Sequence, residues 1–125
     1  MVHPGVGGEL YRDPAAPIET LSGGNQQKVV MARWMRIGGR VLVLEDPTAG
    51  VDVGAKAEVY RLLAQATREG LAVVLVSTDF EEVAQICHRV LVFRQGRIVA
   101  EVPEAELSVE RLVHAASLPT EPRAA

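Results

Sequence analysis

The sequence of 125 residues holds a single cysteine, Cys87, so no disulfide can close within it and no cysteine cluster can bind a metal. A lone cysteine of this kind is expected as a small buried apolar side chain. The longest apolar run, Leu71 to Val76, covers six residues, far below the ~20 that a membrane-spanning helix needs. The opening residues Met1 to Gly5 have neither a basic stretch nor an apolar core, which argues against a secretory signal and makes the cytoplasm the default. Basic residues are scattered, 13 against 16 acids for a net charge of −3, so no basic stripe is offered to the phosphates of nucleic acid. His3, His88 and His114 are dispersed and lack the spacing of metal ligands. No Gly-Lys pair occurs anywhere, and with it the glycine-rich loop ending in Gly-Lys-Ser/Thr is lacking.

What is present suits a soluble globular protein: 48% hydrophobic and 23% charged residues, in a length that fits one domain. Residues 1–20 contain Pro4, Pro14 and Pro17 with Gly5, Gly7 and Gly8, enough to break regular structure, and an irregular segment is expected there. From Gln26 the pattern changes. Val30, Trp34 and Ile37 at i, i+4 and i+7 predict an amphipathic helix that packs Trp34 inward and ends at Gly38-Gly39. Val41 to Leu44 is a continuous apolar run, which predicts a strand covered on both faces, as in parallel sheets.

A second helix is expected from about Ala55 to Arg68 on the stripe Val59, Leu62, Leu63 and Ala66, with Gly70 just past its end. Leu71 to Val76 reads as the next buried strand, and Asp79 as the cap of a short helix through about Cys87. Val90 to Phe93, the turn Gln95-Gly96 and Arg97 to Val102 predict a β-hairpin. Ser108 then caps a terminal helix carrying Glu110, Leu112 and Val113, and residues 118–125 are expected as a flexible tail. Strands alternating with helices indicate an α/β domain with a mainly parallel sheet over residues 21–117.

Two segments carry chemistry. Leu21-Ser22-Gly23-Gly24-Asn25-Gln26-Gln27-Lys28 puts two glycines behind a serine at the mouth of a helix. Free backbone N–H groups and the positive end of the helix dipole favour an anion there, although an isolated Ser-Gly-Gly is ordinarily a turn and cap. Further along, the first strand ends in Glu45 and Asp46, followed by Pro47-Thr48-Ala49-Gly50-Val51-Asp52. Carboxylates at the end of a parallel strand lie where α/β folds bind ligands, and one can hold Mg²⁺, directly or through water, while its neighbour polarises a water.

Together these segments resemble the signature motif, the Walker-B strand and the D-loop of ATP-binding cassette (ABC) ATPases, over about Leu21 to Ser117. Asn25-Gln26-Gln27-Lys28 and Gly50-Val51-Asp52-Val53-Gly54-Ala55-Lys56 narrow the resemblance to the C-terminal part of the second of two tandem cassettes in ribose-, galactose- or xylose-type importers. The resemblance implies a partial P-loop NTPase domain with a C-terminal β-hairpin and helix, ATP and Mg²⁺ as cofactors, and a place on the cytoplasmic face of the plasma membrane. A P-loop-containing cassette half and membrane permease subunits are the implied partners. Ser22, Gly23, Gly24, Asn25 and Gln26 would face ATP held by a partner cassette, Glu45 would sit near Mg²⁺, Asp46 would act as general base, and Asp52 would lie in the D-loop.

Three features depart from the family pattern, one of them being residues 1–20, too short and irregular to be the expected helical subdomain and Q-loop. The family usually reads Asp then Glu at the strand end, whereas Glu45 precedes Asp46 here, leaving the base one methylene short. Thr78 stands where many ABC ATPases have the switch histidine; it can donate a hydrogen bond but carries no imidazolium charge. Because the glycine-rich P-loop is lacking, the isolated chain is expected to contribute to two ATP sites, complete neither and hydrolyse no ATP alone. The alternative is a truncated, non-catalytic remnant whose exposed sheet edge favours a homo-oligomer. A DNA-acting ABC ATPase is disfavoured by the Asn-Gln-Gln-Lys variant and the acidic balance.

Overall fold

A computed structural model describes residues 23–119. Ser22, the expected irregular segment 1–20 and the tail beyond Pro119 lie outside the described residues. In chain order the elements are α1 (Gly23–Arg36), β1 (Val41–Glu45), α2 (Val53–Arg68), β2 (Ala72–Val76), α3 (Phe80–Ile86), β3 (Arg89–Arg94), β4 (Arg97–Pro103), a 3₁₀ turn (Glu104–Glu106) and α4 (Val109–Ser117). The described residues divide into two compact units, one built from residues 23–42 with Pro47–Val73, the other from Val43–Asp46 with residues 74–119.

In the first unit α1 packs against α2. The α2 stripe is the one its spacing predicts, with Val59, Leu62, Leu63 and Ala66 all buried. A fully buried Val or Leu is worth about 1.5–3 kcal/mol, so this face anchors the unit. Asp52 caps α2, its Oδ1 accepting the Ala55 N–H at 2.9 Å, and Gly70, at φ 98°, closes the helix in the left-handed region. α1 differs from expectation. Met31 is its buried side chain, whereas Trp34 is 55% exposed and Val30 and Ile37 are exposed beside it. The spacing gives a stripe, but the turn carrying Met31 is the one that is buried.

β1 and β2 pair in one sheet, and the order of their contacts makes them parallel. The Ala72 N–H donates to the Arg40 carbonyl at 3.0 Å at one end, and the Asp46 N–H to the Val76 carbonyl at 2.8 Å at the other. Parallel neighbours need a long crossover, and α2 lies within the one that joins them. Both strands alternate between half-buried and exposed residues. Val41, Val43, Val74 and Val76 are therefore exposed, Val43 by 66%, which corrects the expectation of strands covered on both faces. An all-apolar run reports that both faces can be buried; among the described residues only one is covered.

The second unit closes its own core. β3 and β4 form an antiparallel hairpin from Arg89↔Pro103 to Arg94↔Arg97 with a bulge between Val92 and Phe93. Its turn places Gln95 at φ 48° and Gly96 at φ 75°, the two positive values that a two-residue turn of type I′ needs to match strand twist. Val92 and Val102 from the hairpin meet Val83 of α3 and Leu112 and Ala115 of α4 in one buried cluster, with Cys87 packed at its margin. Ser108 caps α4 as expected, its Oγ accepting the Arg111 N–H at 3.1 Å. At the far end the Arg94 guanidinium donates to the carbonyls of Ala116 and Leu118. A cation at the negative end of the helix dipole fastens α4 to the hairpin.

Candidate functional site

Gly23 and Gly24 open α1 in the first unit. As the first two residues of a helix they carry N–H groups with no intrahelical acceptor. Asn25 and Gln26 follow in the same turn and are half-buried. Beyond β1, Thr48 is buried and its carbonyl accepts the Val51 N–H at 3.1 Å, with Gly50 at φ 70° in the third position of the turn. That positive φ suits glycine there. The turn delivers Asp52 to the head of α2, where its carboxylate is engaged in capping.

The second unit holds the strand-end acids. Glu45 is the last residue of β1, and both Glu45 and Asp46 are exposed. Asp46 adopts φ 40°, a left-handed backbone that non-glycine residues seldom take, although Asp tolerates it better than most. Such a conformation persists only where the surroundings impose it. Here the Asp46 N–H is bound to the Val76 carbonyl, and Asp46 Oδ1 accepts the Thr78 N–H at 3.4 Å. Two residues singled out in sequence, the strand-end acid and the switch position, are thus brought together across 32 residues of chain.

Sequence reasoning missed Glu82. This carboxylate of α3 is 2% exposed and accepts the Ser77 hydroxyl proton at 2.7 Å, directly behind Thr78. Ser77 Oγ in turn accepts the Asp79 N–H at 3.0 Å. Asp79 caps α3 as expected, accepting the N–H groups of Glu81 and Glu82 at 3.0 and 3.1 Å. Cys87 is half-buried, and burial pushes its thiol pKa above the usual range, with the Glu82 carboxylate adding to the rise. It packs at the margin of the core, less buried than the side chain expected there. No cluster of three or more His, Cys, Asp or Glu able to hold a metal occurs among the described residues.

The chain is 48% identical over 107 residues to a ribose import ATP-binding protein of Streptomyces avermitilis, covering 86% of the chain and 21% of that protein. A ribose import ATP-binding protein of Burkholderia thailandensis is 52% identical over 87 residues, or 70% of the chain and 17% of that protein. Among solved structures, cbiO1 of Clostridium perfringens, part of the ABC transporter complex cbiONQ, superposes on 78% of the chain and 39% of its own length at TM-score 0.67 and 28% identity. This chain belongs to the ATP-binding cassette family. MJ1267, an ATP-binding cassette of an ABC transporter, shares the cassette fold at TM-score 0.69 and 21% identity, over 78% of this chain and 41% of its own. No family model matches the sequence. The chain spans about a fifth of the length of the curated relatives it matches, 21% for the Streptomyces protein. No helix among the described residues is long and apolar enough to cross a membrane.

Proposed function

We propose that the chain supplies the signature segment, strand-end acids and D-loop of an ATP-hydrolysing subunit of a sugar importer, working beside permease subunits on the inner face of the plasma membrane. The relatives' names support the sugar-import setting. The observation that carries the reading is Asp46, an exposed carboxylate held in a rare backbone conformation at the end of a parallel strand and hydrogen-bonded to the Thr78 loop.

The residues fit Mg²⁺ and ATP in part. Glu45 and Asp46 offer hard oxygen ligands, and Mg²⁺ commonly takes one or two carboxylates and fills its other positions with water and phosphate oxygens. With no larger cluster among the described residues, the ion would depend on the nucleotide's phosphates. When bound, Mg-ATP supplies the phosphoryl group that is transferred and the charge that neutralises it. Asp46 would then orient the attacking water and take up its proton, while Glu45 would hold the ion directly or through water. The N–H groups at the head of α1, with Ser22, Asn25 and Gln26, would serve the terminal phosphate of a nucleotide gripped by a P-loop-bearing partner. Asp52 would belong to the D-loop while capping α2.

A titration with labelled ATP and a hydrolysis assay test the proposal. The chain alone is expected to bind no ATP and to hydrolyse none. Adding a P-loop-bearing cassette half should restore Mg²⁺-dependent binding and turnover, and Ser22→Ala should reduce both. Vigorous hydrolysis by the chain alone would overturn this reading. Failure of every P-loop half to restore binding would favour the second reading, a non-catalytic remnant. The exposed valines of β1 and β2 favour that alternative, because an open strand face and edge promote a homo-oligomer.

A further inference from the structure

A buried carboxylate is costly unless its oxygens are engaged, so Glu82, 2% exposed at the start of α3, calls for a structural reason. An apolar residue would fill the position at lower cost but could not accept the Ser77 hydroxyl proton. The Ser77 hydroxyl has one proton, and it is directed to Glu82 Oε2 at 2.7 Å. With its proton committed, Ser77 Oγ accepts the Asp79 N–H at 3.0 Å. These two bonds grip the chain on either side of Thr78, whose own N–H points to Asp46 Oδ1. The strand preceding the loop is pinned to the same acid, since the Val76 carbonyl accepts the Asp46 N–H.

We propose that Glu82 is a positioning residue: through Ser77 it fixes the Ser77-Thr78-Asp79 loop and so sets the orientation of the Asp46 carboxylate. The assignment rests on the proposed role of Asp46 and adds a residue from another element to it. Glu82 stays remote from substrate and acts on the acid through one side chain and one peptide. The partial charge on the Thr78 N–H reaches Asp46 only while that peptide faces β1, and the Ser77 link holds it there.

NMR of the full chain, recorded at one pH and without nucleotide, tests this apart from any question of ATP use. Glu82→Leu removes the acceptor and Ser77→Ala removes the relay. In both, the carboxylate carbon signal of Asp46 and the amide of Thr78 should shift, and exchange of the Thr78 amide should quicken about five- to tenfold, as expected for losing one modest hydrogen bond. Exchange at the core amides of Val92 and Val102 should stay within twofold, separating a local change from loss of the fold. Glu82→Gln, whose amide oxygen still accepts from Ser77, should keep the parent signals. Unchanged Asp46 and Thr78 signals in both Glu82→Leu and Ser77→Ala, or a Glu82→Gln variant that behaves like Glu82→Leu, overturns the proposal. A failed ATP complementation with these signals behaving as expected would instead count against the cassette function and leave the positioning role standing.

Discussion

The strand end at Asp46 and the cluster around Val102 and Leu112 lie in the same unit and are built on opposite terms. The cluster is closed and apolar, and its helices carry the expected caps. The strand end is exposed and acidic, and it holds a non-glycine residue at positive φ. One region lowers the free energy of the fold; the other keeps a carboxylate in a conformation that the fold must enforce. A strained, exposed acid in the same unit as a closed apolar cluster is the arrangement expected where chemistry is positioned at some expense to stability.

Asp46→Asn breaks the functional side of this contrast most sharply. Asn tolerates the left-handed backbone and its Oδ1 can still accept from Thr78, so structure and stability should hold. Yet Asn cannot take up a proton, and loss of a general base costs about 10²- to 10⁴-fold. Turnover of the chain mixed with a P-loop half should fall by that factor with ATP binding retained; a fall below tenfold would remove Asp46 from the role. Exchanging the two acids, Glu45→Asp with Asp46→Glu, should raise turnover if the missing methylene limits the rate.

Leu112→Ala attacks the other side. Truncating a buried leucine in a packed cluster costs about 2–5 kcal/mol, read from urea denaturation. The same measurement on Val43→Thr, at the exposed strand face, should stay within about 0.5 kcal/mol of the parent, while self-association by sedimentation velocity declines. Equal losses for the two substitutions would erase the distinction between closed core and open face. Cap substitutions should fall between: Asp52→Ala and Ser108→Ala each remove a side-chain acceptor from a helix N-terminus and should each cost about 1 kcal/mol.

Local chemistry was the legible part of the fold. The α2 stripe, the caps at Asp79 and Ser108 and the Gln95-Gly96 turn follow from short-range spacing, and each stands where the sequence puts it. The covering of surfaces was not legible in the same way. Val41 to Leu44 predicts a strand and invites burial on both faces, but a run of apolar residues cannot say what lies against it. Likewise Val30, Trp34 and Ile37 share a helix face, yet Met31 is the buried residue of α1. At the site, Glu45 and Asp46 stand out as acids at the end of a predicted strand, and Thr78 through the resemblance to a family pattern. Glu82 escaped because an acid in the first turn of a helix ordinarily serves the dipole in solvent, and only three-dimensional packing shows it turned inward to Ser77.

The smallest expected effect tests whether Glu82 is felt beyond Ser77. Burial, reinforced by the Glu82 carboxylate, raises the Cys87 thiol pKa in the folded chain above its unfolded value of about 8.5. The folded state therefore holds the proton more tightly, and the contribution of Cys87 to stability is complete below that unfolded pKa. As pH climbs above about 8.5 the unfolded thiol ionises first, the unfolded state binds fewer protons, and the contribution is lost until the folded thiol also ionises. Urea midpoints measured from pH 7.5 to 10 should fall more steeply for the parent chain than for Cys87→Ala, which lacks the titrating group. Glu82→Gln should narrow that difference without abolishing it, because burial contributes more to the shift than the neighbouring charge. Parallel curves for the parent and Cys87→Ala would mean that the thiol ionises alike in both states, and that Glu82 acts on the loop at Ser77 alone.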